Sequence, residues 1–156
     1  KLPGVLKVEA GYTAGRTPNP TYKQVSAGGT GHTEAVRVEF DSSKVSYEKL
    51  VDYFWRHIDP TAKDAQFCDV GSQYRSGIYY QGDEQKRVAE ASKTALEKSG
   101  RFAKIHTELA PASAFYLAEE YHQDYYKKNK VRYQFYVSGC GRYARLDQLW
   151  GKLRAK

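Results

Sequence analysis

Methionine does not occur in this 156-residue chain, and because it begins with Lys1, residue 1 is not expected to be a natural translation start. Cysteine is scarce, with Cys68 and Cys140 far apart in sequence. Two such residues exclude the disulfide framework of small secreted domains and the closely spaced pair of a zinc site, so both are read as free thiols in a reducing compartment. No apolar run reaches the ~18 to 20 residues that a membrane-spanning helix needs. The first residues also lack the apolar centre of an export signal, so a cytoplasmic protein is expected. There is no glycine-rich phosphate loop, internal repeat or low-complexity tract.

What is present suits one soluble domain covering residues 1–156, with 40% hydrophobic and 28% charged residues. A net charge of +7 and 14 tyrosines raise the question of RNA, whose bases stack on aromatic rings. The basic residues are scattered, however. Lys127, Lys128 and Lys130 follow a tyrosine-rich stretch, and Lys152, Arg154 and Lys156 form a solvated tail. A basic RNA-binding module is therefore the second class of function, and partners of neither nucleic acid nor membrane type are expected.

Residues 6–10 alternate weakly as a strand and run into a turn-rich stretch with Gly15, Pro18 and Pro20, beyond which a loop carries Tyr22. Ser46 is positioned to cap a helix in which Tyr47, Leu50, Val51, Phe54 and Ile58 recur at helical spacing until Asp59-Pro60 stops it. After an irregular stretch over 61–73, residues 75–80 read as a strand. Asp83 is the expected cap of a helix with Val88, Ala91, Ala95 and Leu96 on one stripe and Gly100 as its stop. A strand at 105–109 and a short helix at 118–128 follow, and the remainder has no clear period. Strands alternating with helices predict an α/β (α+β) fold, a two-layer sandwich with a mixed sheet, a ferredoxin-like βαβ core and long irregular loops.

The most informative residue is Glu34. In the run from Gly29 to Phe40, the apolar side chains of Val36, Val38 and Phe40 alternate with Arg37 and Glu39, which is the period of a half-buried strand. Carried backwards, the register puts Glu34 on the apolar face, where desolvation would keep its carboxyl protonated near neutral pH and fit it to act as a general acid. A strand-end glutamate turned to solvent is the competing reading.

Four strings occur together: Leu2-Pro3-Gly4-Val5 followed by Gly11-Tyr12-Thr13; Asn19-Pro20-Thr21-Tyr22; Gly31-His32-Thr33-Glu34-Ala35-Val36; and Asp69-Val70-Gly71-Ser72-Gln73-Tyr74-Arg75-Ser76. Phe54-Trp55 and Asp59-Pro60 stand between them, and Glu119-Glu120-Tyr121-His122-Gln123-Asp124-Tyr125 beyond. In order and spacing this resembles the peptide methionine sulfoxide reductases of the A type over nearly the whole chain. The resemblance implies reduction of the S epimer of methionine sulfoxide, free or in proteins, by a cysteine thiolate that attacks sulfur. It makes Glu34 the acid, Tyr22 and Tyr74 the phenols that bind and polarise the oxygen, Asp69 a further residue lining the site and His122 a support behind it. It implies no cofactor, thioredoxin as the reductant and a monomer. Each residue also has a plainer account: core aromatics for Tyr22 and Tyr74, a turn residue for Asp69.

The family's nucleophile lies in a Gly-Cys-Phe-Trp segment upstream of the position of Lys1, and that segment is not in this sequence. The expectation is a truncated or processed protein, with a chain that binds methionine sulfoxide without reducing it as the alternative. Cys140, flanked by Gly139 and Gly141, resembles the family's resolving cysteine, which would attack the sulfenic acid formed on the nucleophile. Cys68 is read as a small half-buried side chain, because the adjacent Asp69 opposes thiolate formation. His32, His57, His106 and His122 complete no spaced ligand set, so no metal is expected.

Overall fold

The structure, a computed structural model, describes residues 2–155, so Lys1 and the Lys156 of the basic tail lie outside the described residues. The first alternating segment is strand β1 (Val5–Thr13), which pairs antiparallel with β2 (Thr33–Phe40) so that Tyr12 faces Glu34, Ala10 faces Val36 and Val8 faces Val38. Between them, where a loop was expected around Tyr22, lies a short helix α1 (Tyr22–Ala27). Its cause is a reciprocal cap: the Thr21 hydroxyl accepts from the Gln24 N–H, and the Gln24 side chain accepts from the Thr21 N–H.

Helix α2 (Tyr47–Trp55) starts as expected, with the Ser46 hydroxyl accepting from the Lys49 N–H at 3.0 Å. The segment read as irregular contains a small hairpin, β3 (Ala65–Gln66) and β4 (Asp69–Val70), closed by the two residues Phe67 and Cys68. Then β5 (Gly77–Tyr80), α3 (Gly82–Lys98) and β6 (Glu108–Pro111) form a parallel βαβ unit. Asp83 does not cap α3. The cap position is Gln81, whose N–H donates to Gln85 Oε1, and Asp83 sits in the first turn, where its charge complements the helix dipole.

Strand β7 (Tyr116–Leu117) joins the free edge of β1, giving the order β2-β1-β7. The single helix expected over 118–128 is instead a 3-10 turn, Glu120–His122, and a separate α4 (Tyr125–Lys128), because Asp124 between them is left-handed with φ 51°. The stretch without visible period is helical: α5 (Lys130–Gly139), a left-handed Gly141, α6 (Arg142–Trp150) and a terminal 3-10 turn, Gly151–Ala155. Within the expected tail, Arg154 pairs with Asp147. Helix α5 hid its period because Val137 is its one buried residue.

The α/β class holds, with strands divided among an antiparallel three-stranded sheet, the β3–β4 hairpin and the parallel β5–β6 pair. The main core joins Val51 and Trp55 of α2, Ile78, Val88 and Ala89 of the βαβ unit, and Leu146, Leu149 and Trp150 of α6. Both buried indoles have partners: Trp55 Nε1 donates to Ser92 Oγ and Trp150 Nε1 to the Ile58 carbonyl. A second cluster of Tyr12, Val25 and Ala118 closes one end of the β1–β2 hairpin. The other end is open. Val36 is 62% and Val38 37% exposed, which corrects the premise that Glu34 lies on a buried strand face: the register is right, but of the apolar residues that share it only Phe40 is half-buried.

If α6 is integral to the main core, Leu146→Ala costs about 2–5 kcal/mol, the range for a leucine deleted from a packed interior. Urea unfolding should show this as a lower midpoint with an unchanged slope.

Candidate active site

Three connections hold the start of β2 against the turn that follows β4. The buried Thr33 hydroxyl lies 3.1 Å from the Gln73 carbonyl and 3.0 Å from that of Arg75. Arg75 donates to the carbonyls of Ser72 at 2.8 Å and Gly31 at 2.9 Å, and its Nε pairs with Glu108 at 3.1 Å. Gly71 makes the bend possible, because its φ of 144° is a conformation that residues with a Cβ rarely adopt. Glu34, next to Thr33, and Tyr74, next to Arg75, are thereby brought together.

Glu34 as a whole residue is exposed, yet protein crowds its carboxyl group. This desolvation, reinforced by the negative charge of Asp69, pushes its pKa up to about 7. The Tyr74 phenol is pushed up to about 12 by desolvation, by the charges of Glu34 and Asp69 and by Tyr22. Tyr74 therefore keeps its proton and can donate. The sequence-derived set of Glu34, Asp69, Tyr22 and Tyr74 is one electrostatic cluster, although its elements are spread from α1 to the 3-10 turn Ser72–Tyr74.

A second layer was not foreseen. Glu119 accepts from the Tyr12 hydroxyl at 3.0 Å, from the Tyr22 N–H at 3.0 Å and from the Tyr121 hydroxyl at 3.2 Å. Burial opposes its charge, but these donors outweigh that and hold its carboxyl below the usual range. Tyr12, facing Glu34 across the hairpin, has its pKa raised by burial, by the bond to Glu119 and by the Glu34 charge. The His122 ring packs on Tyr22 at 4.4 Å and on Tyr121 at 4.2 Å, so it supports the phenol that the sequence placed in the site. Tyr12 and Glu119 both lie in the strings quoted above, which was the available signal. Tyr136 of α5, whose hydroxyl donates to Asp69, lies in none of them.

Cys68 and Cys140 are not free thiols. They are joined by a disulfide, with Cα atoms 5.4 Å apart across 72 residues of sequence, because the β3–β4 turn and the end of α5 converge in space. Nor is Cys68 half-buried: as the second residue of a two-residue turn it is exposed. Among the described residues no three His, Cys, Asp or Glu side chains form a group that could hold a metal ion. None of the described helices is long and apolar enough to cross a membrane. A groove of about 570 Å³ along α3 is lined mainly by charged side chains such as Asp83, Lys86 and Arg87 and contains none of the residues above.

A raised carboxyl beside protonated phenols defines an acid site suited to an oxygen that gains negative charge. The chain belongs to the peptide methionine sulfoxide reductase family, whose model matches residues 1–154. It is 54% identical over 149 residues to the peptide methionine sulfoxide reductase MsrA of Listeria monocytogenes, covering 95% of this chain and 84% of that one. With MsrA of Bacillus pumilus the identity is 52% over the same shares. Among solved structures, Mxr1 of Saccharomyces cerevisiae in reduced form superposes with a TM-score of 0.74 at 34% identity, covering 81% of this chain and 73% of that one. Methionine sulfoxide reductase A of Corynebacterium diphtheriae gives 0.73 at 37%, covering 83% and 66%. The family's chemistry is the reduction of methionine sulfoxide, and the chain is an oxidoreductase of that class.

The raised Glu34 pKa has a consequence for stability. Folded, the group keeps its proton until about pH 7, whereas unfolded it loses it near 4.5, so stability falls as pH rises through that window and stays reduced above it. Glu34→Gln removes this penalty. The variant should melt a few degrees above the parent at pH 8.5 and at the same temperature near pH 4, as read by circular dichroism.

Proposed function

We propose that the protein reduces the S epimer of methionine sulfoxide, free or in proteins, with Glu34 as general acid. The observation that carries this reading is the Glu34 carboxyl, raised to about 7 beside Asp69 and close to Tyr74. The hydroxyls of Tyr22 and Tyr74 donate to the sulfoxide oxygen, and Asp69 lines the same end of the site. As a thiolate attacks sulfur, charge accumulates on oxygen. Glu34 delivers the proton that lets the sulfur–oxygen bond break. The oxygen passes as hydroxyl to the cysteine sulfur while the transient sulfur–sulfur bond breaks and its electron pair returns to the methionine sulfur, leaving methionine and a cysteine sulfenic acid. The attacking cysteine belongs to the Gly-Cys-Phe-Trp segment that the family resemblance places upstream of Lys1.

Cys140 is the residue proposed to resolve the sulfenic acid. Its thiol displaces water to form a disulfide, which the dithiol of thioredoxin then reduces. Its bond to Cys68 must open first. The protein acts as a single domain and a monomer, in the cytoplasm.

A binding-only reading has one observation behind it: both cysteines are bonded to each other, and no free cysteine is present. The isolated 156-residue polypeptide, treated with dithiothreitol, is expected to show no turnover of methionine sulfoxide above a buffer control. Turnover would make Cys68 or Cys140 a nucleophile.

In the full-length protein, Glu34→Gln should slow the single-turnover reduction roughly 100-fold, the usual contribution of a positioned acid. Glutamine keeps the size and a hydrogen-bond donor but has no proton to transfer, so binding should suffer less than rate. The parent should lose activity as pH rises through about 7, and the variant should lack that limb. Equal rates with one pH profile would remove Glu34 from the role and pass it to Tyr22 or Tyr74.

A further inference from the structure

Two adjoining ties link the β3–β4 hairpin to α5. Cys68 is bonded to Cys140, and the next residue, Asp69, accepts the hydrogen bond of Tyr136, one helical turn before Cys140. The Cys140 N–H donates to the Tyr136 carbonyl at 2.9 Å, so the sulfur and the phenol are carried by the same turn. Beyond them, the Arg142 guanidinium lies 4.6 Å over the Phe67 ring. Along α5 itself Val137 is the one buried residue. Val131 and Phe135 are 85% and 82% exposed, and the neighbouring α6 is anchored in the core by other residues. The hydroxyl of Tyr136 is kept protonated by burial and by its bond to Asp69, so it remains a donor.

We propose that the Cys68–Cys140 bridge is a reducible lock that, through Tyr136, positions Asp69 in the sulfoxide site. Tyr136 is a positioning residue: it acts on the substrate end of the site through Asp69. The bridge is open to small thiols, since Cys68 is exposed on its turn. An external dithiol opens it by exchange: two electrons and two protons pass from the dithiol, which becomes a disulfide, to the two sulfurs, which become the Cys68 and Cys140 thiols. With the covalent tie gone, this end of α5 no longer holds the Tyr136 hydroxyl against the hairpin, their hydrogen bond opens, and Asp69 loses its fixed partner. The same event that frees Cys140 thus loosens the oxygen-binding end of the site. This inference rests on the function proposed above.

The test uses full-length protein. Mass spectrometry after maleimide treatment without reductant should find Cys68 and Cys140 unlabelled. Cys68→Ser and Tyr136→Phe should each raise the KM for a methionine sulfoxide peptide about tenfold, the scale of a lost hydrogen bond to a charged group, with a smaller change in single-turnover kcat. The double variant should be no worse than either single one, because both remove the same connection. A bridge that only stabilises the fold would lower the melting temperature in Cys68→Ser and leave KM unchanged below that temperature, and this would overturn the proposal. Additive effects would overturn it too. Failure of the parent protein to reduce sulfoxide at all would instead refute the proposed function.

Discussion

The site depends on Arg75. One guanidinium ties Ser72, Gly31 and Glu108 together, with the Tyr79 hydroxyl adding a 2.7 Å bond to the same Glu108 carboxylate. The planar fork of donors suits this role, whereas a lysine ammonium could not span the same directions. Because Gly31 leads into β2, and Ser72 opens the turn that ends at Tyr74, the arginine sets the distance between the acid and the phenol. Thr33, buried beneath, adds contacts to the carbonyls of Gln73 and Arg75 itself.

On that frame the electrostatics divide two carboxyl groups by their partners. Asp69 accepts the Tyr136 hydroxyl, while among the described residues no side-chain hydrogen bond reaches the Glu34 carboxyl. Crowding by protein disfavours the charged form of the Glu34 carboxyl and the nearby charge of Asp69 adds to this, so Glu34 retains its proton. Around them Tyr12 and Tyr74 hold their protons more firmly than a free phenol does. Tyr12 gives its proton to a bond with Glu119, so Glu34 and Tyr74 are the donors left awaiting an acceptor.

The local features of this design were legible in the sequence: the Ser46 cap, the helical spacing of α2, the strand read over 75–80 of which Gly77–Tyr80 is strand, and the βαβ order. So was the importance of Glu34, although the reason read from the strand was only half right. Its strand face is open at Val36 and Val38, and the carboxyl is crowded by loop residues that no periodicity could place beside it. What stayed hidden was long-range. The Cys68–Cys140 pairing spans 72 residues and is made by a turn and a helix end, neither of which announces its neighbour. Helix α5 carries exposed valine and phenylalanine where an amphipathic pattern would put charge, so it read as featureless. The Glu119 network lay inside a recognised string, but composition and spacing say nothing about which hydroxyls a carboxylate will collect.

The central claim is that the Glu34 carboxyl keeps its proton well above the ordinary carboxylate range and titrates near neutral pH. Carbon-13 labelling of glutamate, with the Glu34 resonance assigned by comparison with Glu34→Gln, follows its titration directly. A midpoint near pH 7 is the result expected from the crowding of its carboxyl and the charge of Asp69. A midpoint at the ordinary value of 4.5 would mean that Glu34 is ionised in the resting protein and has no proton to give, contradicting the account.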